Sequence, residues 1–112
     1  MTRVRGPAWA LALLLFGTAG APAEDVLTFR LVAADGRFSP DTIEVPAGKR
    51  FRLEITNRNA GPEEFESVEL RKELVLAPGV TRIVVFAPLK PGVYPFFGEF
   101  HPDTARGRIV AK

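Results

Sequence analysis

Beyond residue 25, apolar residues recur at every second position, and no stretch of useful length carries them at helical spacing. Proline and glycine cut this alternation into short pieces, so the chain must fold as extended segments joined by turns. Leu27, Phe29 and Leu31 alternate with Thr28 and Arg30 over 26–33. Asp35-Gly36 is a turn signal, and Ile43 and Val45 share one face of a short segment over 42–45. In 51–57 the pattern is cleanest, with Phe51, Leu53 and Ile55 facing inward and Arg52, Glu54 and Thr56 outward. A loop over 57–62, an extended stretch over 63–70 and a strand over 72–76 follow. Residues 81–87 are almost continuously apolar and read as a strand of the sandwich core. Strands over 93–97 and 108–111 close the chain. Seven or eight strands at this spacing describe an all-β, Greek-key antiparallel β-sandwich. Tyr94, just past Pro91-Gly92, stands where a sandwich places a tyrosine corner.

The first 23 residues read differently. Arg3 and Arg5 precede an apolar run over 8–16, too short to span a bilayer, and Ala21-Pro22-Ala23 is an A-x-A-like cleavage site. The expected organisation is a signal peptide over 1–23 and one domain over 24–112, exported to the periplasm. Losing Arg3 and Arg5 leaves basic and acidic residues in equal number, so no basic stripe marks a nucleic-acid partner. The chain has no cysteine. An exported domain of this size without disulfides depends on its packed core and on any metal it binds.

Two acidic–aromatic clusters are the candidates for chemistry. In the first, Pro62-Glu63-Glu64-Phe65-Glu66-Ser67, an extended backbone sends Phe65 one way and Glu64 and Glu66 the other. The second, Gly98-Glu99-Phe100-His101-Pro102-Asp103, holds the only histidine. Carboxylates and an imidazole brought together form an oxygen–nitrogen metal site. The bland alternatives are a hydrogen-bonded surface histidine, a solvated acidic edge that discourages strand pairing, and Phe96, Phe97 and Phe100 as packing residues. Glu69 and Glu73 read as facing water beside Arg71 and Lys72. One histidine, no cysteine and no G-x-S-x-G motif exclude hydrolytic triads.

Phe38-Ser39-Pro40-Asp41-Thr42-Ile43-Glu44-Val45-Pro46-Ala47-Gly48-Lys49 resembles the opening of a cupredoxin-like domain. Pro78-Gly79, Pro91-Gly92-Val93-Tyr94 and the loop from Gly98 to Gly107 extend that resemblance over 25–112. Glu64-Phe65-Glu66-Ser67 and Phe97-Gly98-Glu99-Phe100-His101-Pro102 resemble the small periplasmic cupredoxin-like proteins that accompany bacterial ferrous-iron permeases. A related domain belongs to the periplasmic component of another iron-uptake system. In blue cupredoxins the first histidine ligand falls at Glu63-Glu64, the cysteine at Gly98 and the methionine near Arg106. Only His101 matches one of their ligands, so this chain cannot build a type-1 copper centre.

The resemblance implies copper or iron bound by His101, Glu66, Glu64 and Glu99, and an accessory role in oxidising or handing over Fe(II). The implied partners are a membrane iron permease and another periplasmic iron-binding protein. A one-histidine site could also be completed across a homodimer. Two alternatives stand beside this reading: a metal-free sandwich serving as a docking module, and a free-standing ferroxidase, for which the chain offers no dedicated electron exit.

Overall fold

In the computed structural model the structure describes residues 26–112, so the expected signal peptide lies outside the described residues. Nine strands and no helix are formed there: β1 Leu27–Ala34, β2 Arg37–Ser39, β3 Thr42–Val45, β4 Phe51–Asn57, β5 Glu63–Ser67, β6 Lys72–Leu76, β7 Thr81–Phe86, β8 Gly92–Phe97 and β9 Arg106–Ala111. They make two sheets, ordered β2-β1-β4-β7 and β3-β9-β8-β5-β6. The expected β-sandwich is therefore present, but its sheets are mixed rather than wholly antiparallel: β1–β4 and β3–β9 run parallel and the other pairs antiparallel.

The interior follows the alternation. Phe51, Leu53 and Ile55 are fully buried, as are Phe65, Phe86, Phe96 and Ile109. Two aromatic groups fill the ends. Phe51 stacks on Phe86 with centroids 4.8 Å apart and meets Phe29 edge-on at 6.1 Å. Phe38, Phe65 and Phe96 pack within 5.0–6.2 Å of one another beneath the Gly98–Gly107 loop. Gly107 is required here: an added Cβ would lie 2.4 Å from the Phe96 ring and 2.7 Å from the Asp41 carbonyl. The Tyr94 hydroxyl donates to the Lys90 carbonyl at 2.7 Å, as expected of a tyrosine corner.

Three further details depart from the reading of the sequence. β2 is a strand too short to show an alternation. The stretch from Glu63 ends at Ser67 in a turn, where Arg71 takes a positive φ of 56°. The third concerns β7, which is an edge strand with Ile83 and Val85 exposed rather than a core strand. Only its inward parity, Val84 and Phe86, packs against the core.

Candidate metal centre

Strand β5 positions both halves of the site, because period two sends alternate side chains to opposite faces. Glu63, Phe65 and Ser67 face inward and are buried. Glu64 and Glu66 face outward, as the sequence leads one to expect. Across the antiparallel ladder Glu66 stands directly opposite Glu73 of β6. Glu99, just past the end of β8, joins them by donating its backbone N–H to Glu64 Oε1 at 2.9 Å.

One carboxylate oxygen from each of Glu64, Glu66, Glu73 and Glu99 lies within 4.8 Å of the others. Glu64 is nearly buried, and Glu73 and Glu99 are exposed. Like charges directly opposite in a ladder are destabilising, so this arrangement calls for a proton or a cation. Burial pushes the Glu64 carboxyl up to about 7, helped by a hydrogen bond with Glu73 and by the charges of Glu99 and Glu66. Partial desolvation, then the charges of Glu73 and Glu99, raise Glu66 as well. Glu73 is thus part of the group rather than a residue merely facing water.

His101 is placed elsewhere. Its Nδ1 lies 2.6 Å from Oε2 of Glu63, a residue whose side chain is fully buried while the imidazole is 41% exposed. The other Glu63 oxygen accepts the Glu64 backbone N–H at 3.0 Å, and Asn59 Nδ2 donates to Oε2 at 3.4 Å. Backbone bonds from His101 N–H to the Gly98 carbonyl and from Ala105 N–H to the His101 carbonyl shape the loop that carries the ring. Gly36, at φ 69°, leaves room for that ring: a Cβ there would sit 3.0 Å from His101 Cδ2. His101 also lines an open groove with Asp35, Gly36, Arg58, Asn59 and Phe100.

Of the four residues singled out from sequence, the structure brings Glu64, Glu66 and Glu99 together and sets His101 against Glu63. Glu63 and Glu73 complete the picture. Glu63 carries a signal in its parity with Phe65 and Ser67. Glu73 needs the β5–β6 register, which depends on the turn between them.

Gly98 decides what can stand at the centre of this end of the sandwich. A Cβ at Gly98 would lie 2.6 Å from Glu63 Oε1 and 2.7 Å from the Glu64 carbonyl, so Glu63 occupies the space a side chain at 98 would need. With no cysteine in the chain, a type-1 copper centre does not fit. The donors brought together are hard carboxylate oxygens, with the one imidazole set apart on Glu63, and such oxygens fit iron, manganese or Cu(II).

A family model described as "Cupredoxin-like domain" matches residues 7–111. This chain belongs to the cupredoxin-like domain family. The cupredoxin-like domain is 40% identical over 87 residues to an uncharacterized protein of Rickettsia prowazekii (strain Madrid E), covering 78% of this chain and 70% of that protein. Among solved structures, auracyanin B aligns with TM-score 0.69 at 15% identity, over 82% of this chain and 93% of its own. The metal-binding domain of the Cu(I)-exporting P-type ATPase CopA of Streptococcus pneumoniae D39, solved with Cu(I), aligns with TM-score 0.69 at 16% identity, over 82% and 92%. At such identities the likeness establishes the fold, which this cupredoxin-like domain shares with copper-binding proteins.

Proposed function

We propose that this domain is a periplasmic, non-blue cupredoxin-like protein that binds iron or copper on carboxylates and assists ferrous-iron uptake. The observation that carries the reading is the outer group of Glu64, Glu66, Glu73 and Glu99, whose oxygens lie within 4.8 Å of one another. Four like-charged groups held this closely are stable with shared protons or with a cation, and hard oxygen donors suit Fe(II), Fe(III) or Cu(II). Glu64, Glu66, Glu73 and Glu99 would hold the ion through oxygen. His101 stands outside this group, its Nδ1 held by Glu63 on the other face of β5, and would contribute a nitrogen donor only by leaving Glu63. A copper ion held there would provide a one-electron acceptor for Fe(II).

Residues 1–23 would be removed on export, leaving 24–112 as the working domain. Its partners would be a membrane iron permease and another periplasmic iron-binding protein, with this chain as an accessory rather than a free-standing ferroxidase. The test is anaerobic titration of the purified protein with Fe(II) and, separately, Cu(II). The reading expects affinity in the micromolar range or tighter, and slower iron uptake in cells lacking the chain. No binding of either ion would favour a metal-free docking module.

A further inference from the structure

The four sheet edges are not alike. β2 has three residues and a charged Arg37. β3 has four, with Glu44 paired to Lys112 at 3.3 Å and Pro46 immediately after. β6 carries Lys72 and Glu73. Brevity, charge and proline are the usual means of keeping an edge from pairing. β7 has neither brevity nor proline. It is six residues long, and its one charge, Arg82, bends away to the Val75 carbonyl at 3.4 Å.

Its free side is also ready to pair. Asn57 N–H donates to the Val80 carbonyl, in continuation of the β4–β7 register. By alternation, Arg82, Val84 and Phe86 then bond to β4, and the N–H and C=O groups of Thr81, Ile83 and Val85 point off the sheet. On the outer face, charged and polar side chains lie at the centre of the sheet: Arg30 bonds Glu54 at 3.2 Å and Arg52 bonds Thr28 at 2.7 Å. The bare aliphatics lie at the rim, with Ile83 56% and Val85 49% exposed. A solvated edge has the opposite arrangement.

We propose that β7 pairs antiparallel with β7 of a second copy of this chain, joining two four-stranded sheets into one of eight. The strand is self-complementary about Val84. With Val84 opposite the second copy's Val84, Ile83 faces its Val85 in two symmetric rows on the outer face. Each row continues to Glu54 of one copy and Arg52 of the other, residues registered opposite Ile83 and Val85 within each sheet, so the ends carry opposite charge. Basic and acidic residues are balanced over 24–112, so two copies do not repel.

The test is sedimentation equilibrium of the purified protein from about 1 to 100 μM, beside Ile83→Lys and Ile83→Pro. Both substitutions fall on an exposed side chain and an outward N–H, so circular dichroism should be unchanged. Wild type is expected to form dimers in this range, and each variant to weaken them about tenfold or more. Val84→Cys gives a second reading. The chain has no other cysteine, so mild oxidation should yield a disulfide-linked dimer only in this register. A wild type that stays monomeric, a dimer unmoved by both Ile83 variants, or a Val84→Cys protein that stays unlinked would overturn the proposal.

Discussion

Strand β5 carries carboxylates on both faces, and the two faces treat them in opposite ways. On the inner face Glu63 is fully buried, and every oxygen has a donor: His101 Nδ1 and Asn59 for one, the Glu64 N–H for the other. On the outer face Glu64, Glu66, Glu73 and Glu99 share one another's company, with a single backbone N–H directed at them. The inner carboxylate is satisfied within the protein and acts as structure. The outer ones are left to a shared proton, to water or to a cation. A step of one residue along a strand separates the two roles, because it reverses the face.

The largest effect should come from the inner face. Glu63→Ala strips acceptors from His101, Asn59 and the buried Glu64 N–H and leaves a void, a loss of about 2–4 kcal/mol in denaturant unfolding. Glu63→Gln keeps an acceptor and should cost less than half as much. Equal costs for the two would mean that packing, not the bonds, holds this face. Gly98→Ala should come next, at about 1–3 kcal/mol, because its Cβ meets Glu63 and the Glu64 carbonyl below 3 Å. A melting temperature unchanged by Gly98→Ala would show that the loop yields freely.

On the outer face the sign reverses, and removing a carboxylate should help. Glu64 holds its proton more tightly folded, with its carboxyl raised from 4.5 to about 7, than unfolded. Its contribution to stability is therefore complete below pH 4.5 and disappears as pH rises through about 7. The metal-free protein should lose at most about 3 kcal/mol across that window. Glu64→Gln keeps Oε1 as acceptor for the Glu99 N–H and should flatten the profile, gaining about 1–2 kcal/mol at pH 8 and nothing at pH 4. Urea unfolding at both pH values reads this directly. A wild-type profile that rises from pH 5 to 7 would contradict the assignment.

The fold was legible to the extent that alternation was. β3, β4 and β6 begin and end where the sequence places them, and the inward faces of β4 and β5 follow parity. β7 is not legible as an edge, because an apolar run has the same composition whether it is covered on both faces or lies at a bare edge. At the site, Glu64 and Glu66 share a face by parity alone. Their meeting with Glu73 depends on the Ser67–Lys72 turn, and that with Glu99 on an inter-strand bond, and neither has a local signature. His101 stands apart because the loop's own backbone bonds, not its spacing from Gly98, direct the ring to Glu63.

The central claim is that the outer carboxylates hold the metal. Its most direct test is Fe(II) affinity of wild type beside Glu66→Gln/Glu73→Gln and His101→Ala. The account predicts a loss of about a hundredfold or more for the double variant and little change for His101→Ala, which lies outside the group. Wild-type affinity in the double variant would place the metal elsewhere and contradict the account.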